Sequence, residues 1–176
     1  MIFEELELEG VFIITPERIE DERGFFARSI DKKKFEEKNL KSEFIQSSIS
    51  YNKKKGTVRG LHYQIEPFSE AKLVRCTKGS VFEIILDIRK DSKTYKKWIG
   101  VSLDSKDYNL LYVPEGFALG FQSLEDNTEL FYQITQIYSP EHARGIRWDD
   151  KSFNITWPEK ISTISIKDSS YKPFQI

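Results

Sequence analysis

A chain of 176 residues, 39% hydrophobic and 14% aromatic, is long enough and apolar enough to bury a core, so one folded domain over 1–176 is expected and disorder is excluded. Lys+Arg 27 against Asp+Glu 28 gives a formal charge of -1, which excludes the broad basic field that general nucleic-acid or acidic-membrane binding requires. The acidic start MIFEELELEG lacks the flank and apolar run of a signal peptide, and no stretch nears the ~18 apolar residues of a membrane span, so a cytoplasmic address is expected. Cys76 is the single cysteine, and His62 and His142 are the only histidines, so neither an internal disulfide nor a three-histidine metal cage can form within one chain. No metal is expected.

In chain order, the apolar or alternating runs are Val11 to Ile14, Gly24 to Ser29, Phe44 to Tyr51, Thr57 to Ile65, Lys72 to Thr77, Val81 to Arg89, Trp98 to Leu103, Leu110 to Val113, Leu130 to Tyr138 and Ile161 to Ile166. A short helix at Lys32 to Lys38, with Asp31 as N-cap and Phe35 as its buried residue, interrupts them. Many short strands and one short helix predict an all-β sandwich or barrel. Asn52 to Gly56, with its three lysines in solvent, and Lys78-Gly79 are expected to be hairpin turns. In the Val81 to Arg89 run, Phe82, Ile84, Leu86 and Ile88 form one apolar face, while Glu83 and Asp87 put polar groups on the other. Tyr112 to Phe121 reads as a strand, a Pro/Gly turn and a second, glycine-flanked strand.

The first candidate for chemistry is His62 in R-G-L-H-Y-Q, Arg59 to Gln64. A lone strand histidine is more often a hydrogen-bonded structural residue than a catalyst, but alternation groups His62 with Gly60 and Gln64 on a small, polar face, with open space expected beside Gly60. Strict alternation puts Arg59 on the opposite face, unless Gly60 is a bulge. Lys72 shares a face with Val74 and Cys76, so it either points inward and needs an anion or lies on an edge strand in solvent. Tyr132 and Tyr138 share a face with Leu130 and Ile134, where spacing alone predicts core.

These residues also carry a resemblance. D-E-R-G-F-F at Asp21 to Phe26, R-G-L-H-Y-Q at Arg59 to Gln64, K-L-V-R-C at Lys72 to Cys76, V-P-E-G-F-A at Val113 to Ala118, Y-S-P at Tyr138 to Pro140, W-D-D at Trp148 to Asp150, Trp157-Pro158 and I-S-I-K-D at Ile164 to Asp168 resemble, in order and spacing, the dTDP-4-dehydrorhamnose 3,5-epimerase family. The resemblance implies a cupin-like jelly-roll β-barrel, a homodimer without cofactor, and a nucleotide-diphospho-4-keto-6-deoxyhexose as substrate in surface-polysaccharide synthesis. The C4 carbonyl of such a sugar acidifies C3 and C5, so inversion needs a base, an enolate stabiliser and an acid on the other ring face.

By that resemblance His62 is the base, Asp168 fixes its tautomer, Lys72 meets the enolate oxygen and Tyr132 is the acid. Arg59 and Arg23 meet the diphosphate, and Phe26 and Tyr138 pack on the nucleotide, with Arg23 and Phe26 reaching the partner subunit's pocket. Gln46 joins the substrate-binding set. Four residues depart from the family pattern: Leu119 stands for a common histidine near the ring, Arg28 for a glutamate near the base, Ser48 for an asparagine and Glu83 for an aspartate. Alternative readings are a 3,4-ketoisomerase, which uses the same enolate logic, and a catalytically silent sugar-nucleotide-binding cupin.

Overall fold

A computed structural model describes residues 1–174. Its elements are β1 (Ile2–Glu5), β2 (Phe12–Thr15), β3 (Arg18–Asp21), β4 (Gly24–Ala27), α1 (Lys32–Glu36), β5 (Gln46–Asn52), β6 (Val58–Gln64), β7 (Lys72–Lys78), β8 (Ser80–Asp87), β9 (Trp98–Asp104), β10 (Leu110–Val113), β11 (Phe117–Ser123), β12 (Thr128–Ile134), β13 (Ala143–Gly145) and α2 (Ile166–Ser169). Six strands order as β1-β2-β10-β7-β12-β5, five as β13-β6-β11-β8-β9, and β3 and β4 form a separate hairpin. From β5 to β8 and again from β9 to β13 the chain changes sheet at every step, which is the jelly-roll pattern.

That alternation corrects two expectations. Asn52 to Gly56 and Lys78-Gly79 are not hairpin turns but corners at which the chain crosses between sheets. Beyond them β7 pairs with β10 and β12, and β8 with β9 and β11. Gly79, at φ +71, makes a tight turn, and a tight turn serves either purpose.

The Ile161 to Ile166 run is likewise not a strand. Thr163 makes a lone parallel bridge to Thr57, and the chain then enters α2, where the Ser165 side chain accepts the Asp168 N–H at 3.0 Å. A serine able to cap outweighs a short, weak alternation.

Three apolar layers follow from the strand periodicity. Between the sheets, Val74, Cys76, Ile85, Leu111, Phe117 and Leu130 interdigitate. Outside the six-stranded sheet, α1 lays Phe35 edge-on against Tyr112 at 6.0 Å, beside Phe12, Ile14 and Leu73. Asp31 caps that helix as expected, accepting the Lys34 N–H. Outside the five-stranded sheet, Leu61, Ile84, Leu86 and Ala118 are covered by Ile146, Phe153 and Trp157. Strand β8 is therefore core on both faces, and Glu83 and Asp87 are buried on the inner one. Burial acts to raise the pKa of Asp87, but hydrogen bonds from Arg89, Ser92 and Thr94 outweigh it and hold it at about 2.

Candidate active site

The interior core does not fill the space between the sheets. A cavity of about 720 Å³ remains, within the range of small-molecule sites, and both sheets line it. From the five-stranded sheet come Arg59, His62, Gln64, Glu83 and Leu119; from the six-stranded sheet come Gln46, Ser48, Lys72, Val74 and Tyr132.

Arg59 and His62 face the same cavity because β6 carries a bulge. His62 lies opposite Leu119 and Arg59 opposite Phe121, so β6 spends three steps where β11 spends two. Gly60, at φ +117, is the residue that permits it. A Cβ there would meet Gly120 Cα at 2.5 Å and the Leu119 carbonyl at 2.9 Å, so Gly60 faces the neighbouring backbone. The expected open space beside Gly60 is therefore absent, although His62 itself lines the cavity. Arg59 is held by Asn52 Oδ1, which accepts from Nε at 2.8 Å, and by the Tyr51 carbonyl.

Behind His62 stands Asp168. Its Oδ1 lies 2.7 Å from His62 Nε2, and its Oδ2 accepts the Gly60 N–H at 3.2 Å. Burial would raise this carboxyl, but the His62 hydrogen bond and charge, the Gly60 N–H and Ser165 together lower it below the ordinary aspartate value. An ionised Asp168 accepts from Nε2–H, which in the neutral ring leaves Nδ1 as the nitrogen with a free lone pair. Asp168 is buried while the His62 side chain is 43% exposed, so the pair has one shielded end and one end open to a ligand.

Lys72 points inward, and the anion it needs is Glu70, whose Oε1 lies 3.2 Å from Nζ. Nζ also donates to the His62 carbonyl at 3.2 Å, which ties the lysine to the facing sheet. Glu70 went unnamed in the sequence reading, although it precedes Lys72 by two positions and so shares its side of the chain. Tyr132, for which spacing alone predicts core, does pack against the interior core and also lines the cavity, between Ser48 of β5 and Val74 of β7 in register. Tyr138 lies beyond the end of β12, so its spacing from Tyr132 is not what brings it to the cavity. The Gln46 side chain does so, accepting the Tyr138 N–H at 2.7 Å.

Arg23, Phe26 and Arg28 are not among the residues that line this chain's cavity. Arg23 pairs with Asp21 on the exposed β3–β4 hairpin, and Arg28 pairs with Asp31. Tyr171, Lys167 and Arg144 also line the cavity without having been named. Tyr171 lies over Gly145, where a Cβ would sit 2.0 Å from its ring, and it meets His62 edge-on at 6.2 Å. The only hint in sequence was an aromatic three positions after Asp168.

Fold and cavity together define a cupin-like barrel with a histidine, a lysine and a tyrosine turned into one small-molecule pocket. The profile described as dTDP-4-dehydrorhamnose 3,5-epimerase matches residues 5–175, and the chain belongs to that family. It is 46% identical over 169 residues to a dTDP-4-dehydrorhamnose 3,5-epimerase of Shigella flexneri, covering 96% of this chain and 93% of that one. The crystal structure of the Bacillus anthracis enzyme with TDP and PPi bound is similar at TM-score 0.94 and 35% identity, over 98% and 99% of the two chains. A Legionella pneumophila dTDP-6-deoxy-D-glucose-3,5-epimerase in complex with dTDP-4-keto-L-rhamnose is similar at TM-score 0.89 and 35% identity, over 97% of this chain and 90% of that one.

Proposed function

We propose that this chain is an isomerase that inverts C3 and C5 of dTDP-4-keto-6-deoxyglucose, yielding dTDP-4-dehydrorhamnose for nucleotide-sugar biosynthesis. One observation carries the chemistry: His62 and Tyr132 enter one cavity from opposite sheets. Inversion removes a proton from one ring face and returns one to the other, so base and acid must flank the ring. His62 Nδ1 takes the proton from C3 or C5, and the C–H electrons move through the new C=C bond onto the C4 oxygen. The Lys72 ammonium stabilises that enolate, and the Tyr132 hydroxyl protonates the carbon from the far side. Asp168 faces the imidazolium as it forms. No step consumes an oxidant or reductant.

Arg59 binds the diphosphate, Tyr138 and Gln46 the nucleotide end, and Ser48, Glu83 and Leu119 the sugar. The protein works as a homodimer in which the β3–β4 hairpin carries Arg23, Phe26 and Arg28 to the partner subunit's cavity. Supporting this, Ile19 and Phe26 form a cross-strand pair and are 69% and 64% exposed, an apolar pair left uncovered by the described residues of its own subunit. Among the described residues no helix is long and apolar enough to cross a membrane. The test is incubation with dTDP-4-keto-6-deoxyglucose in deuterated water, with NMR following label at C3 and C5. Label at both carbons with inversion is expected; a carbonyl appearing at C3, or no label at all, would overturn the reading.

A further inference from the structure

Among the residues assigned to the sugar, one is a carboxyl whose part in the chemistry is not yet described. Glu83 stands in the middle of β8, 1% exposed, and neither of its carboxyl oxygens has a hydrogen-bond partner among the described residues. Its register partners, Val101 on β9 and Phe121 on β11, offer only apolar side chains. The titratable cavity-lining groups on the surrounding strands are Arg59, His62 and Tyr63 on β6, Lys72 on β7 with Glu70 just before it, and Tyr132 on β12; Cys76 on β7 feels the Glu83 charge. The Lys72 ammonium is hydrogen-bonded elsewhere, to Glu70 and to the His62 carbonyl, so it acts on Glu83 only through its field.

A carboxyl in such a place cannot be left charged cheaply. Burial pushes Glu83 up, and the Lys72 field pulls it only part of the way back, leaving it at about 8. Near neutral pH it therefore carries one O–H with nothing to donate to and one C=O with nothing to accept from. Proteins satisfy nearly all buried polar groups, so an orphaned pair that borders a ligand cavity is a pair kept for a ligand.

We propose that Glu83 acts as an uncharged hydrogen-bond donor to the bound hexose, sharing with Lys72 the C4 oxygen on which negative charge develops during enolisation. The role rests on the epimerase reading given above. A neutral acid suits the task, since a carboxylate there would repel the enolate whereas an O–H stabilises it. No proton need be transferred: the donor strengthens its hydrogen bond as charge grows on the oxygen.

Two substitutions and one spectrum test this. Glu83→Met keeps the length and removes the donor, and it should lower the exchange rate at C3 and C5 by roughly 10²-fold, mainly in kcat. Glu83→Gln keeps a donor that cannot ionise, and it should recover at least ~10-fold of that loss and lack the decline in rate that wild type shows as pH rises through about 8. A Met variant as fast as wild type, or a Gln variant no better than Met, would overturn the proposal. Infrared difference spectra on adding the dTDP-sugar should show a protonated-carboxyl stretch that shifts in wild type and is missing from Glu83→Gln. Absence of that band in wild type would equally overturn it. A shifting band without any isotope exchange would uphold Glu83 as the donor and refute only the epimerase reading.

Discussion

Asp168 lies 2.7 Å from His62 across 106 positions of sequence, and the contact links a one-turn helix to the middle of a strand. The same carboxylate accepts the Gly60 N–H, so one side chain orients the imidazole and anchors the bulge that aims it. Asp168→Asn removes the charge with little change of shape. It should slow exchange by about 10²-fold or more while leaving dTDP binding within ~3-fold, measured by NMR and by titration calorimetry. Equal exchange rates in variant and wild type would show that His62 works without it.

The bulge makes a second, structural prediction. Gly60→Ala puts a Cβ 2.5 Å from Gly120 Cα at a φ of +117, where neither backbone can yield without shifting a strand. The loss should be roughly 2–4 kcal/mol by urea unfolding, with activity reduced further because His62 and Arg59 no longer share a face. A loss under about 0.5 kcal/mol would mean that the close approach is not a constraint.

Much of this was legible in the sequence, and the failures have physical causes. Alternation found the long strands, and the need of an inward lysine for an anion held true of Lys72, although the anion, Glu70, went unnamed. Period-2 reasoning could not settle the faces of Arg59 and His62, because a single inserted residue reverses every face beyond it. Turn residues at Lys78-Gly79 marked a change of direction but not a change of sheet, since sheet membership depends on pairing with β10 and β12, far along the chain. Asp168 was reachable only through resemblance: a carboxylate on one helical turn carries no periodic signal that ties it to a distant histidine.

Burial of Glu83 also shows in stability. Its folded value, about 8, lies above the ordinary glutamate value of 4.5, so the native state holds a proton that the unfolded chain releases. The contribution is therefore fully present below about pH 4.5 and is lost as pH rises through about 8, by at most about 1.4 kcal/mol per pH unit. Glu83→Gln, which cannot ionise, should gain stability relative to wild type between pH 5 and pH 8, as read by urea midpoints. A constant difference across that range would show Glu83 to be charged in the native state.

Leu119 is the register partner of His62 and presents no hydrogen-bonding group on the cavity wall beside it. Enolisation does not need such a bond, but turning the ring to present a second C–H does benefit from one. Exchange at C3 should exceed exchange at C5 by at least ~10-fold, a barrier difference of about 1.4 kcal/mol, and Leu119→His should narrow the gap. Equal labelling of both carbons by wild type would make Leu119 a neutral part of the wall.

The division of labour between the two sheets is tested most directly by site-resolved deuterium incorporation on dTDP-4-keto-6-deoxyglucose in wild type, His62→Ala and Tyr132→Phe. His62→Ala should lose incorporation at both carbons, by ~10²- to 10⁴-fold, because it removes the proposed base. Tyr132→Phe should still incorporate deuterium but return the sugar uninverted, because His62 exchanges its proton with solvent and gives it back to the face it came from. Wild-type labelling in His62→Ala, or full inversion in Tyr132→Phe, would contradict a base on one sheet working against an acid on the other.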